Sequence, residues 1–293
     1  MKKRILAAGA AALFALSACG NDSGNEAGEP SKSIVIGMAN WEDAIAPAHL
    51  WKHVLEEKGY DVTLQNVDLG AAFLSLDAGD IDAIPNVWLP TTHANYMDEY
   101  GDELVDLGAW YNDAKLAIAV NEDAPITSLD ELADNADLFD NQIVGIEPGA
   151  GEMELVEDVT IPAYGLENMP LRSSSTPAML AELKTATESG ENIAVTLWSP
   201  HWAYEAFPIR DLEDPQGTLG DAETISFYGR NGFDTDFPEV TEWLNNFTLS
   251  PEQLADLENR MFNENEDPTK YPEIVDEWIT DNQEFVDSLT REL

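Results

Sequence analysis

From Ser33 onward the chain alternates short β-like runs with helical stretches in two successive sets, and each set closes on a tryptophan-proline segment. Such alternation restricts the fold to α/β layers, because the helix that follows each strand must cover the sheet. In the first set Ile34-Val-Ile-Gly-Met38 reads as a strand, and Leu50, Trp51, Val54 and Leu55 form one face of a helix stopped by Gly59. Val62-Thr-Leu-Gln-Asn-Val67 is the next strand, and Ala71 to Asp77 suits a short helix ending at Gly79. The run Ile81-Asp-Ala-Ile-Pro-Asn-Val87 then leads into Trp88-Leu-Pro-Thr-Thr-His93. Lys115-Leu-Ala-Ile-Ala-Val120 predicts a buried strand, and Ser128-Leu-Asp-Glu131 has capping-box spacing for a helix through Phe139.

The second set starts at Gln142-Ile-Val-Gly-Ile146 and continues with a helix after Gly151, a strand-like piece at Leu171-Arg-Ser-Ser and a helix from Thr176 to Ser189. It ends with Ile193-Ala-Val-Thr-Leu197 before Trp198-Ser-Pro-His201-Trp202. No fixed-period repeat is present, which excludes a solenoid. Beyond Glu223 a crossing strand, Thr224-Ile-Ser-Phe-Tyr228, precedes helices only. Val240, Trp243, Leu244 and Phe247 make one apolar stripe, and Ile274, Val275, Trp278 and Ile279 another. Ser250-Pro251 with Gln253 is a helix start. The expected architecture is α/β with parallel sheets in two lobes that can hinge. Residues 34–118 are the first part of lobe 1 and 119–222 are lobe 2, while 223–293 carry a second crossing and helices returning to lobe 1.

Upstream of the folded body, Lys2, Lys3 and Arg4 precede an apolar stretch from Ile5 to Leu16 that is too short to span a bilayer. Residues 1–18 therefore read as a signal peptide. Leu16-Ser-Ala-Cys19 resembles a bacterial lipobox, and Cys19 is the single cysteine, so the expectation is a lipidated N-terminus with no internal disulfide. The competing reading is a stray buried thiol. Residues 19–33 hold no large apolar side chain and predict a flexible tether to the membrane outer face. The formal net charge is −43, and loss of Lys2, Lys3 and Arg4 makes it −46. Such a charge disfavours nucleic acid as a partner. Fifty-seven acidic against fourteen basic residues also point to a saline habitat, where screening shortens to about 3 Å near 1 M salt.

Trp51, Trp243 and Trp278 sit in helical stripes and read as core, and Trp110 is undecided. Trp41, Trp88 and Trp198 stand instead at the C-terminal ends of strand-like runs, the edge where open α/β sheets present ligands. Indole faces there suit a small organic cation. Glu147-Pro-Gly-Ala-Gly151-Glu152 follows a strand and opens a helix, so its N–H groups can hold an anion, although a plain glycine-rich turn fits equally. His93 and His201 each follow a tryptophan and a proline. His49 and His53 are four apart on one helix, yet they lack a third metal ligand and read as a solvated face. No nucleophile elbow, Walker loop or zinc cysteine set is present, so nothing in the chain supports an enzyme.

Taken in order, Gly37-Met-Ala-Asn-Trp41, Trp88-Leu-Pro-Thr-Thr-His93, Asp106-Leu-Gly-Ala-Trp-Tyr111, Ile143-Val-Gly-Ile-Glu-Pro-Gly-Ala-Gly151, Trp198-Ser-Pro-His-Trp202 and Leu212-Glu-Asp-Pro215 resemble the substrate-binding lipoproteins of glycine betaine/proline betaine ABC importers. The resemblance covers residues 34–285. It implies a type II periplasmic-binding-protein-like fold, a monomer without cofactor or metal, and partnership with a permease and its ATPase. It further implies that Trp41, Trp88 and Trp198 box a trimethylammonium group while His93 and the N–H groups of Gly151 and Glu152 bind the ligand carboxylate. Glu152 replaces an aliphatic residue of a relative, and its side chain must point away from that carboxylate. His201 matches a position without a direct ligand role. A choline or carnitine binder is the alternative ligand class, and a secreted enzyme acting on quaternary amines the alternative of another class.

Overall fold

The computed structural model describes residues 32–265 and 267–291. The leader, Cys19 and all but the end of the tether lie outside the described residues. Strands β1 (Ser33–Met38), β2 (Asp61–Asn66) and β3 (Ala83–Leu89) form the start of a first sheet, with β1 parallel to both neighbours. β1 is central, and Ile34 and Ile36 point into the core. Helix α1 (Glu42–Glu57) follows β1 and covers this sheet with Leu50, Trp51, Val54 and Leu55, all buried. Helix α2 (Leu69–Ala78) ends at Gly79, whose φ of 76° is the left-handed conformation that suits glycine at a helix C-terminus. Helix α3 (Ala94–Tyr100) follows the Trp88 segment.

Strand β4 (Val105–Asn121) runs through both sheets. Its pairing passes from the first sheet to the second between Ala114, opposite Glu223, and Lys115, opposite Ser199. The second sheet contains β5 (Ile143–Val144), β6 (Leu171–Arg172), β7 (Ala194–Ser199) and β8 (Ile209–Asp211). Strand β9 (Glu223–Gly229) inserts antiparallel between β3 and β4, which gives the order β2-β1-β3-β9-β4-β7-β5-β6 with β8 on β4. The architecture is thus α/β and two-lobed, but the sheets are mixed rather than parallel. The cause is that β9 runs antiparallel to β3 and β4 in the first sheet, while β4, on entering the second, runs antiparallel to β7 and β8.

Two further local expectations change. The capping box at Ser128 and Glu131 forms, yet residues 129–131 and 133–139 wind as 3-10 turns because Asn135 leaves helical geometry at φ −119° and ψ 18°. Aspartate and asparagine along this stretch compete for backbone partners and weaken an α-helix. The helix after Gly151 is built from α4 (Gly151–Leu155), a π-turn over Val156–Thr160 and α5 (Ile161–Tyr164). Pro162 lacks an N–H and crowds the preceding turn, which accounts for the widened segment.

Helix α6 (Thr176–Ser189) covers the second sheet, and α7 (Ala203–Ala206) follows the Trp198 segment. After β9 come α8 (Phe233–Asp236), α9 (Pro238–Asn245), α10 (Pro251–Glu258), α11 (Tyr271–Asp281) and α12 (Gln283–Leu289). Helices α10 and α11 pack on α1, and α9 packs on β4. Phe247 stacks with Trp110 and meets Trp51 edge-on at 5.3 Å. Trp51, Trp110 and Trp278 are fully buried, whereas Trp243 is half-buried. Among the described residues no helix is long and apolar enough to cross a membrane.

Candidate functional site

The C-terminal ends of β1, β3 and β7 meet the start of α4 around one cavity. Its wall contains every ligand-contact residue expected from the sequence: Trp41, Trp88, Trp198, His93, Gly151 and Glu152. The three tryptophans are at least nine-tenths buried. Their indoles are held from behind. Trp41 Nε1 donates to Glu147 Oε2 at 3.2 Å, and the Glu147 carboxylate also accepts from the Thr176 amide and hydroxyl at 2.9 and 2.8 Å. Because Trp41 follows β1 and Glu147 follows β5, this bond spans the two lobes. Trp88 Nε1 donates to Asp43 Oδ2 at 2.9 Å, and Asn86 Nδ2 donates to the same oxygen. Trp198 meets the edge of His201 with 4.8 Å between ring centres.

Between Trp88 and His93 the chain makes a tight turn. The Trp88 amide donates to His93 Nδ1 at 3.0 Å, so Nδ1 is an acceptor and the neutral ring carries its proton on Nε2. Burial keeps the ring neutral by holding its pKa down to about 3. A neutral imidazole with a free choice of acceptor at Nε2 is a suitable donor to a carboxylate. The turn is clamped from β9, where buried Glu223 accepts from the Thr91 and Thr92 amides at 2.7 and 3.0 Å and from the Thr92 hydroxyl.

Opposite His93, Ala150 precedes the first turn of α4. The Met153 and Glu154 amides turn back to the Ala150 carbonyl at 3.0 and 3.3 Å, whereas the Gly151 and Glu152 amides open the helix, where no intrahelical acceptor exists. A Cβ on Gly151 would run into the Thr92 carbonyl, so only glycine lets the two lobes approach this closely. The Glu152 side chain is buried, and desolvation raises its pKa well above the usual carboxylate range. A protonated carboxyl removes the conflict with a bound carboxylate that an ionised one would create.

Sequence reasoning did not pick out Asp43, Thr92, Leu116, Ile146 or Ala150, which complete the cavity wall. Asp43 matters most, because it is a buried carboxyl beside Trp88. Its pKa rises to about 6, chiefly through desolvation, with the Trp88 hydrogen bond opposing. The position of Asp43 two residues after Trp41 is the one signal in the sequence, and it is lost among the other acids.

The remaining histidines divide. His201 accepts from the Ala203 amide at 3.0 Å through Nδ1 and brings Nε2 to 3.5 Å from Glu42 Oε2, and Trp202 Nε1 donates to Glu42 Oε1 at 3.4 Å. This pair ties the loop after β7 to the start of α1. His53 is not merely solvated, since its Nδ1 lies 2.6 Å from Asp276 on α11, and His49 meets Tyr271 edge-on at 5.4 Å. Among the described residues no group of three or more metal-ligating side chains forms.

The model of the substrate-binding domain of ABC-type glycine betaine transport systems matches residues 32–281. The glycine betaine/carnitine transport binding protein GbuC of Listeria monocytogenes is 35% identical over 146 residues, 49% of this chain and 47% of that protein, so the match spans about half the length of this curated relative. The crystal structure of the glycine betaine, L-proline ABC transporter binding protein ProX from Borrelia burgdorferi superposes with a TM-score of 0.83 at 31% identity, covering 89% of this chain and 97% of that one. Lactococcal OpuAC, in its closed-liganded conformation complexed with glycine betaine, superposes with a TM-score of 0.82 at 29% identity over 88% of this chain and 99% of that one. With a family match over that length and a shared two-lobed fold, the chain belongs to the substrate-binding domains of ABC-type glycine betaine transport systems.

Proposed function

We propose that this protein is the extracytoplasmic solute-binding component of an ABC importer and captures glycine betaine or proline betaine for osmoprotection. The observation that carries this reading is the cavity itself: three buried indoles, drawn from both lobes, share one wall with His93, Gly151 and Glu152. A zwitterion with a methylated ammonium head and a carboxylate tail fits that lining, since the cation–π attraction grows to about 2 kcal/mol per contact when water is excluded. Trp41, Trp88 and Trp198 are the cage, and His93, Gly151 and Glu152 are the carboxylate site.

Neither lobe completes the site alone. Ligand therefore favours the closed arrangement by binding it better than the open one, and the permease with its ATPase reads that closed form. Hinge motion occurs where β4 changes sheets and where the chain returns to β9. Cys19 carries a lipid, residues 1–18 are removed, and residues 19–33 tether a monomeric body to the outer face of the membrane. The protein binds its ligand without transforming it. Its acidic surface is an adaptation to salt.

Choline is the second reading, favoured by Asp43: a carboxyl behind Trp88 attracts any quaternary ammonium, and most of all one with no carboxylate of its own. Intrinsic tryptophan fluorescence titrations at about 1 M salt, the regime of short screening, separate the ligands. Saturable binding of glycine betaine or proline betaine stronger than that of choline and carnitine, with ligand recovered intact, supports the main reading. Preference for choline exchanges the two, and product formation replaces both with an enzyme.

A further inference from the structure

The carboxyl of Glu152 occupies an unusual place. The residue is 3% exposed and lines the cavity beside the amides that open α4. Neither of its carboxyl oxygens has a hydrogen-bond partner among the described residues. Backbone N–H groups of Ala117 on β4 and Leu197 on β7 face it without completing a bond, and the Asp211 carboxylate on β8 acts on it unfavourably. Asp211 is itself bound to the Tyr204 hydroxyl of α7 at 2.6 Å. Across the cavity stand His93, which burial keeps neutral, and Asp43. On its own helix Glu154 turns outward to Asn95 at 3.1 Å. No lysine or arginine among the described residues bears on Glu152.

An anion buried with no completed hydrogen bond and no counter-charge is strongly disfavoured, and the nearby Ala117 and Leu197 N–H groups offset only part of that cost, so the neutral acid is the form that fits this position. We propose that Glu152 is a proton-linked specificity determinant: protonated, it permits a carboxylate on the adjacent amides and His93, and ionised, it expels that carboxylate while sparing a carboxylate-free quaternary ammonium. The inference rests on the reading of those amides as the carboxylate site. Burial raises the pKa of the group well above its ordinary range, so it keeps its proton at pH values where exposed carboxylates have lost theirs. By reciprocity, a bound carboxylate raises it further, and affinity falls about tenfold above that pKa for each unit of the added shift.

The test is calorimetric titration of the full chain with glycine betaine and with choline, at about pH 7 and about pH 10, in about 1 M salt. Asp43, raised to about 6, acts on the cationic head that both ligands share, so the choline titration registers its contribution. The expected result is a betaine Kd that rises about tenfold or more with pH while the choline Kd changes less than about threefold, and a betaine Kd that becomes flat in Glu152→Gln. An equal rise in Glu152→Gln, or no rise in the native chain, overturns the proposal. If that variant does not fold, native titrations near pH 9 in two buffers of different ionisation enthalpy decide: net proton uptake with betaine but not choline supports it, and zero uptake overturns it. Absence of betaine binding at about pH 7 instead defeats the functional reading on which the inference stands.

Discussion

At the scale of the residue, the cage depends on groups that aim the indoles as much as on the indoles. Asp43 accepts from the Trp88 indole N–H at 2.9 Å and so fixes the ring in place, while His201 buttresses Trp198 edge-on. Trp88→Ala or Trp198→Ala should weaken betaine binding by about 1 to 3 kcal/mol, through lost cation–π attraction and packing. Calorimetry in high salt checks this, and an unchanged Kd removes the substituted ring from the site. His93 has a second signature. Its folded pKa, about 3, lies below the ordinary 6.5, so between those values the unfolded chain takes a proton that the folded chain does not. Stability contributed above pH 6.5 is therefore lost as the pH falls toward 3, at up to about 1.4 kcal/mol per pH unit. His93→Gln removes this slope, so urea denaturation should show the variant gaining on the native chain from about pH 6.5 down to about pH 4. A constant difference would mean that His93 is not held neutral by the fold.

At the scale of the element, the turn from Leu89 to His93 is held by a carboxylate on a strand more than a hundred positions later in the chain. Glu223 opens β9 and satisfies the Thr91 and Thr92 amides together, and that turn carries both His93 and the Thr92 carbonyl against which Gly151 packs. Glu223→Ala leaves two amides without an acceptor in a buried place and should cost on the order of 3 kcal/mol in denaturant unfolding, with loss of betaine binding alongside. Normal stability and normal affinity would show that the turn holds itself. Elements were legible where neighbours along the chain decide them. Helix α6 spans Thr176 to Ser189 as expected, and the structure shows Ser175 capping its start and Gly190 ending it, because capping and glycine termination are local chemistry. Strand β4 was legible only in part: Lys115 to Val120 is a plain apolar run, but Val105 to Ala114 mixes polar and apolar residues without a strand period and owes its extension to β9 beside it.

For the whole molecule, polar contacts around the cavity join the segments that leave the two sheets. Trp41 with Glu147, Trp202 with Glu42, and the Tyr96 hydroxyl with the Gly149 carbonyl at 3.3 Å each link a segment that follows a strand of the first sheet to one that follows a strand of the second. Such contacts favour whichever arrangement of the sheets allows them, alongside any ligand between. The chain holds fifty-seven acids against fourteen bases, and the acids at its surface repel one another over about 10 Å in dilute salt and over about 3 Å near 1 M. Thermal melts should rise between those conditions, and a flat or falling melting temperature would show that the charge serves solubility alone.

Read along the chain, the residues already declare alternating strands and helices, tryptophans at strand ends and a glycine opening a helix, because apolar period, caps and turn chemistry act over a few residues. Which acids matter was decided only by the tertiary structure. Asp43, Glu147 and Glu223 look like any of the others in a chain rich in carboxylates, and what singles them out is burial or hydrogen bonding beside partners brought from afar. The Glu147 bond to Trp41 joins residues 106 apart and the Glu223 clamp on Thr92 joins residues 131 apart. Local pattern does not encode such pairings, since they exist only when two lobes pack across one cavity.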